Sequence, residues 1–438
     1  MKKYNVWTEG CQMNVADSQR LGSALERLGY EFTGRVEDAD VIVLNTCVVR
    51  QSAEDKATSR LSSLRPLKNK RPGLVINLMG CLVGIRDNEK LRTRFPFVDV
   101  FSPPSDPGPL ISFLTQGEAR DFEANATGER FAVMDGESIL PEHERGKTIS
   151  VHLPVVLGCS HACTFCIIPS RRGAERSRPA DEIAAEARSL VAQGVKEITL
   201  LGQIVDRFGK DQPEGLSLPA LLRRLNQVEG LERIRFLTSH PNYFSDELMD
   251  TVAELPRVMP HIEIPIQAGS DEVLKNMRRG YTQADYRRMV AKIRARIPGS
   301  SIATDIIVGF PGESEMQFME TQALLEELRL DVAHLARYSP RPGTVSERLF
   351  PDDVPDEEKM RRFRLLEDLQ EKIGGEINAQ FLGQKVEVLF EDKVKGRWRG
   401  RTPTNKLVFV ESEADLRGKV LPVTVTWTGP WSMQARIL

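Results

Sequence analysis

The chain has 438 residues, with 60 lysines and arginines against 62 aspartates and glutamates, a formal charge of −2 and 40% apolar residues. That length predicts two or three domains, each able to bury its own core. A balance so near neutrality argues against a generic nucleic-acid coat and leaves room only for a local basic face.

No run of eighteen apolar residues occurs, and the amino terminus MKKYNVWTEG has no apolar h-region, so neither a membrane span nor a secretory signal is indicated. The expected location is a reducing cytoplasm with the thiols committed to metal.

Three short β-branched runs open the chain, and each stops at a cysteine: YNVWTEGC at Cys11, DVIVLNTC at Cys47 and LVINLMGC at Cys81. Such runs predict buried parallel strands. A helix is expected after Cys11, with Leu21, Leu25 and Leu28 on one face and Gly29 in its last turn, and another over about 50–64. Alternating strands and helices imply an open parallel sheet, whose strands share one ligand-binding edge at their carboxyl ends. Cys11, Cys47 and Cys81 should therefore converge there as a trio of thiolates, although each taken singly also fits an ordinary buried cysteine. This α/β unit runs over 1–116 and closes on SPPSDPGP and a short helix. Residues 117–144, rich in Glu, Arg, Gly and Asp, read as a linker.

A new rhythm occupies 145–375. Strand-like runs VHLPVVL, EITLLGQ, RIRFLTS, HIEIPIQAG, SIATDIIVGF and DVAHLARYSP alternate with amphipathic helices. One helix carries Ile183, Ala187, Leu190 and Val191 inward and stops at Gly194; another carries Leu218, Leu221, Leu222, Leu225 and Val228. Six such units give a partial barrel rather than a closed eight-stranded one. A charged helix over about 354–374, with Met360, Phe363, Leu366 and Leu369 as its apolar stripe and its charges on a solvated face, leads out. The segment 376–438 (KVEVLFED, KLVFVE, KVLPVTVTW, MQARIL) reads as a small all-β barrel.

The other three of the six cysteines stand at Cys159, Cys163 and Cys166, in GCSHACTFCIIPSRRG after the first barrel strand. Three thiolates on one loop can hold a 4Fe–4S cluster by three irons and leave the fourth iron to a small molecule. A structural zinc knuckle is the competing reading; its nearest fourth ligand is His161, at an odd spacing.

The C-x3-C-x2-C loop closely resembles that of radical S-adenosylmethionine enzymes. Together with GCQMNVADSQRL, NTCVVRQSAEDKA, MGCL, LLGQ, FLTSHP, PIQAGS, TDIIVGFPGE, YSPRPGT and GRTPTNKLVF, it makes nearly the whole chain resemble the methylthiotransferase family. The likeness is to its MiaB-type branch, the tRNA-2-methylthio-N6-isopentenyladenosine synthases. GCQMN rather than GCPKN at the first cysteine sets it apart from the branch acting on a ribosomal protein. TSHP sets it apart from the branch acting on threonylcarbamoyl-adenosine. The resemblance implies a methylthiotransferase amino-terminal domain holding an auxiliary cluster on Cys11, Cys47 and Cys81, a radical S-adenosylmethionine core and an RNA-binding TRAM domain.

The implied reaction replaces the C2 hydrogen of N6-isopentenyladenosine at position 37 of tRNA with a methylthio group. That C–H is neither acidic nor attached to a leaving group, so cofactor radical chemistry is needed. Two 4Fe–4S clusters, S-adenosylmethionine and a small electron-donor protein such as flavodoxin or ferredoxin are implied. Carried over by motif, Gly202 and Gln203 fall where such barrels bind the methionyl amine. Ser239, Gln267 and Ile307 to Gly309 fall where they contact carboxylate, ribose and adenine. Asp305 and Glu313 order that rim or meet substrate, and His240 and His261 read as structural donors. In the tail Lys393, Lys395, Arg397, Trp398, Arg399 and Arg401 interleave charge with an aromatic ring, as phosphate contact and base stacking require. Arg171, Arg172 and Arg176 are further candidates to face nucleic acid.

Leu157, Ala268 and IVDRFG after LLGQ depart from the family pattern without touching a cysteine. A methylthiotransferase of another substrate and a non-catalytic RNA-binding iron–sulfur protein remain the alternatives.

Overall fold

The computed structural model describes residues 1–48, 51–86, 89–117 and 140–437. Most of the expected linker, 118–139, lies outside them. The described residues group into two compact bodies: Met1–Lys147 with Val151–His161 and Ile167–Gly194, and Thr148–Ser150 with Ala162–Cys166 and Val195–Leu438. Among the described residues no helix is long and apolar enough to cross a membrane.

The first body starts with β1 (Lys3–Glu9), α1 (Gln12–Arg27), β2 (Glu31–Phe32), β3 (Val41–Thr46), α2 (Gln51–Lys70), β4 (Val75–Gly80), α3 (Glu89–Arg94), β5 (Val100–Ser102) and α4 (Gly108–Gln116). The strands form one parallel sheet in the order β2-β1-β3-β4-β5. Every residue of β3 is buried, as expected of a strand covered on both faces. Leu44, Leu61, Ile76 and Leu78 pack on one side of the sheet, and Tyr4, Leu21, Leu25 and Val43 on the other. The predicted second helix extends beyond 64, to Lys70.

The same body continues with β6 (Ser150–Pro154), β7 (Val156–Leu157), α5 (Ile168–Arg172), β8 (Arg176–Ser177) and α6 (Ala180–Ala192), with β7 and β8 antiparallel. Glu186 on α6 accepts from Arg178 at 2.8 Å and from Arg20 of α1 at 2.5 Å, so three buried charges lock those elements together.

The second body holds β9 (Glu197–Leu201), α7 (Leu218–Leu225), β10 (Arg233–Phe236), α8 (Asp246–Glu254), β11 (His261–Glu263), α9 (Asp271–Asn276), α10 (Gln283–Arg296), β12 (Ser301–Val308), α11 (Glu315–Leu328) and β13 (Val332–Arg337). Pairing is parallel, β9 with β10, and β12 with both β11 and β13. These are the strands and helices of a partial barrel.

After α12 (Val345–Leu349), α13 (Asp356–Ala379) leads to β14 (Lys385–Val394), β15 (Arg397–Arg401), β16 (Leu407–Val410), β17 (Val420–Thr428) and β18 (Met433–Ile437), which close a barrel in the order β14-β15-β16-β18-β17.

The buried face of α13 is not the predicted stripe. Lys359, Arg362, Leu366, Gln370 and Ile373 are buried, and of the expected four only Leu366 is. The two charges tolerate burial because each is paired: Lys359 with Asp352 at 2.6 Å, Arg362 with Glu313 at 2.8 Å.

Candidate active site

Parallel pairing places the ends of β1, β3 and β4 along one edge, where Cys11, Cys47 and Cys81 follow. Gly10 allows the closest approach there: a Cβ at that position would stand 2.8 Å from Cys47 Cβ and 2.4 Å from Asn14 Oδ1. Asn14 Oδ1 accepts from the Cys11 amide at 3.3 Å and from its thiol at 3.4 Å. Asn14 and Asn45, both fully buried, bond reciprocally: Asn14 Nδ2 donates to Asn45 Oδ1 at 2.9 Å, and Asn45 Nδ2 to the Asn14 carbonyl at 2.8 Å. The first turn of α1 is thereby fixed to the end of β3. Both asparagines stood in the motifs GCQMN and NTC, and sequence reasoning gave them no role.

The electrostatics of this edge are uneven. A hydrogen bond with Cys47, helped by the charge of Arg172, holds the Cys11 thiol down at about 6 against its burial. Burial pushes Cys81 up, opposed by Arg172. Burial alone would lower Arg172; the neighbouring Cys81, Asp17 and Cys11 outweigh it and raise its pKa. Arg172 is 2% exposed and donates from Nη1 to Ser105 Oγ at 3.2 Å, so it is enclosed and cannot face RNA as expected. Arg171 lies against Gly84 and is half-buried, as is Arg176.

No disulfide joins any of the six cysteines. Among the described residues, no three His, Cys, Asp or Glu side chains stand close enough to hold a single metal ion. A four-iron cube spreads its thiolates more widely than one ion does, and the amino-terminal donors suit it: three cysteines, one already shifted toward thiolate, beside a fixed cation.

The second trio straddles the two bodies in sequence, Cys159 in the first and Cys163 and Cys166 in the second. Gly158, at φ +69°, lies so close to the chain after α5 that a Cβ would stand 2.1 Å from the Ala174 carbonyl oxygen. That approach lets the Cys159 amide donate to the Gly173 carbonyl at 3.0 Å. Within the second body the Cys166 amide donates to the Cys163 carbonyl at 3.2 Å, and Thr164 is anchored by its amide to the Met277 carbonyl at 3.1 Å. His161 touches Cys159 through its backbone amide, 3.4 Å from the sulfur.

The residues expected to meet S-adenosylmethionine follow the carboxyl ends of β9 to β12, and backbone hydrogen bonds join them. The loop after Gly202 and Gln203 donates from Val205 to the Thr238 carbonyl at 3.1 Å. Ser239 donates to the Glu263 carbonyl at 3.0 Å, and Gln267 sits between Asp305 and Ile307, each bond 2.9 Å. Thr238 and Gln267 have φ of 66° and 78°, a left-handed backbone uncommon for non-glycine residues. Ser239 Oγ is buried and makes no hydrogen bond. Gly309 packs on Lys359, and Glu313 accepts from the Gly309 amide at 2.6 Å, so Glu313 orders the rim.

His261 is structural. Its Nε2 accepts from Asn405 at 3.2 Å, and its Nδ1 lies 2.7 Å from Ser301 Oγ. Burial and nearby arginines and lysine lower it to about 3, so the ring stays neutral. Backbone N–H of His240 donates to buried Asp206.

In the small barrel Lys393, Lys395 and Arg397 flank the β14–β15 turn. Arg399 is paired with Asp392 at 2.8 Å, and Arg401 reaches Asn405 and Glu391. Trp398 is 5% exposed in the barrel core, so its ring has no open face for stacking. Trp427 and Trp431, 48% and 54% exposed, are the open aromatics of this barrel and were not singled out from sequence.

A parallel α/β core with a three-cysteine loop defines a radical S-adenosylmethionine chain, and the model of the radical SAM superfamily matches residues 153–325. Those of the uncharacterized protein family UPF0004 and of the TRAM domain match 3–102 and 379–438. The structure resembles the radical S-adenosylmethionine methyltransferase TsrM from Kitasatospora setae, at TM-score 0.59 and 16% identity over 79% of this chain and 77% of that one. Sequence places the chain more finely. It is 48% identical to the tRNA-2-methylthio-N(6)-dimethylallyladenosine synthase of Roseiflexus sp. (strain RS-1), over 99% of this chain and 89% of that protein. It is 46% identical to the synthase of Herpetosiphon aurantiacus over 100% and 97%. The chain belongs to this family.

Proposed function

We propose that this chain replaces the C2 hydrogen of N6-isopentenyladenosine, the dimethylallyladenosine of its relatives' name, with a methylthio group at position 37 of tRNA. Its cofactors are two 4Fe–4S clusters and S-adenosylmethionine. The observation that carries this reading is the convergence of Cys11, Cys47 and Cys81 at one sheet edge, in a chain that separately carries Cys159, Cys163 and Cys166. Each trio leaves one iron of a four-iron cube to a non-protein ligand. When bound, these groups supply one-electron chemistry and the sulfur and methyl group to be transferred.

The protein's part is to bind and orient. Gly202 and Gln203 take the methionyl amine, while Ser239, Gln267, Ile307 and Gly309 take the carboxylate, ribose and adenine. The strained backbone at Thr238 and Gln267 sets that rim before ligand arrives. Lys393, Lys395 and Arg397 meet RNA phosphates, with Trp427 and Trp431 offering rings to unstacked bases. A small protein such as flavodoxin or ferredoxin delivers electrons, in the cytoplasm.

Mass spectrometry of tRNA nucleosides from a strain lacking the gene tests this. Expected are loss of the methylthio nucleoside and accumulation of N6-isopentenyladenosine, restored by the natural chain and not by C11A or C163A. An unchanged methylthio nucleoside overturns the reading.

A further inference from the structure

Side chains from the starts of β10, β11 and β12, at the end of the partial barrel opposite the rim, hold loop 402–406 between β15 and β16. Arg235 Nη2 donates to the Thr402 carbonyl at 2.8 Å and Nη1 to the Pro403 carbonyl at 2.9 Å, while Nε is fixed by Glu197 at 2.8 Å. Asn405 Nδ2 reaches His261 Nε2 at 3.2 Å, and His261 Nδ1 lies 2.7 Å from Ser301 Oγ, which donates to the Thr404 carbonyl at 2.8 Å. Because the serine proton is committed to that carbonyl, Nδ1 of the neutral ring donates and Nε2 accepts. This relay begins and ends in the loop. Lys406 pairs with Asp331, just before β13, at 2.6 Å. Arg235, His261 and Ser301 are each at most 5% exposed.

The β14–β15 hairpin is gripped at the same place. Arg233 Nη1 donates to the Arg401 carbonyl at 2.6 Å, and Nη2 to Glu387 Oε1 on β14 at 3.0 Å. The other end of this hairpin is the turn carrying Lys393, Lys395 and Arg397. So β15, five residues long or roughly 17 Å, has one end docked on the barrel floor and the other at the basic turn.

Domains of one chain move against each other unless their interface forbids it. Apolar side chains would cover the floor as well, but they set no orientation; a buried polar network with its partners met does. A planar guanidinium clamped on two successive carbonyls fixes direction as well as distance, which the point charge of a lysine cannot.

We infer that loop 402–406 is a docking element and Arg235 its positioning residue: by clamping the Thr402 and Pro403 carbonyls, it sets where the turn at Lys395 stands relative to the strand exits that meet S-adenosylmethionine. This rests on the reading of Lys393, Lys395 and Arg397 as phosphate contacts.

The test compares R235M and R235K with the natural full chain. Amide hydrogen exchange, followed by mass spectrometry, should be faster over 402–406 in R235M. Its affinity for tRNA and the salt slope of binding should match the natural chain, because the phosphate contacts are untouched. The rate of methylthiolation at saturating tRNA should fall by about a hundredfold, the effect of a misplacement of about 1 Å. KM should stay the same, and R235K should fall between. If R235M leaves Glu197 uncompensated and does not fold, E197Q/R235M is compared with E197Q, and the same pattern is expected.

Unchanged exchange over 402–406, or faster exchange with an unchanged rate at saturating tRNA, overturns the proposal alone. A K393A/K395A/R397A chain that binds tRNA with the natural affinity and salt slope overturns the reading of the RNA face and the proposal with it.

Discussion

Arg279 Nη1 donates to Cys163 Sγ across 3.1 Å, while its Nε donates to Tyr281 Oη at 2.9 Å. The Tyr281 hydroxyl reaches the Ile266 carbonyl at 2.7 Å, one residue before Gln267. A chain of hydrogen bonds, the last two of them buried, thus runs from the cysteine loop to the strand exit expected to meet S-adenosylmethionine.

Removing the arginine should therefore loosen the loop. A hydrogen bond to a charged partner is worth roughly 1.5–3 kcal/mol. In a background of C11A, C47A and C81A, R279M should retain fewer than the about four irons of its parent, and R279K should fall between them. Equal iron retention in R279M and its parent would refute this role.

Gly158 gives a second handle on the same loop. With φ at +69° and a carbonyl oxygen 2.1 Å from where a Cβ would lie, G158A must shift the chain near Ala174. Strain of that kind costs of order 1–3 kcal/mol. The expected result is a lower melting temperature together with weaker iron binding at Cys159. A G158A chain that melts with the natural one would show that the two segments separate without cost.

The cysteine positions were legible because a parallel strand fixes where its carboxyl end lies, and a run such as DVIVLNTC marks that end without further information. What surrounds them was not. Arg172 sits in SRRG, which looks solvated until Asp17 and Ser105, distant in sequence, close over it. The face of α13 was misjudged for the same reason, since burial of Lys359 and Arg362 depends on Asp352 and Glu313. Trp398 was readable: RWRGR alternates, and period two puts the tryptophan and glycine inward with the three arginines turned outward. The motif GRTPTNKLVF has a structural use as well. Arg235 donates to the carbonyls of Thr402 and Pro403 at 2.8 and 2.9 Å, and Lys406 pairs with Asp331 at 2.6 Å.

Asp206 makes stability depend on pH. Burial raises its carboxyl from the ordinary 3.8 to about 7, despite backbone N–H donors that favour the charged form. The folded chain therefore keeps a proton that the unfolded chain releases between about 4 and about 7, and stability falls as pH rises through that window. Half-buried Glu263, raised to about 7 by desolvation and then by the charge of Asp305, acts in the same direction. Melting temperatures from pH 4 to 8 should decline for the natural chain, decline less for D206N and be flattest for D206N/E263Q. An unchanged slope in the double variant would show that neither carboxyl titrates there.

The RNA face can be separated from the barrel core by salt dependence. Each lysine or arginine on a phosphate releases a counterion, so removing one lowers the salt slope of binding by about 1. K393A/K395A/R397A should then bind tRNA more weakly, with a slope reduced by about 3. W427A and W431A should each lose about 1–3 kcal/mol of affinity if a base stacks on the ring, with the slope unchanged. W398A differs in kind: its ring is core, so it should lower barrel stability by about 3–5 kcal/mol, while W398F should bind tRNA as the natural chain does. Weaker binding by W398F at unchanged melting temperature would move the RNA contact onto that strand and away from the turn at Lys395.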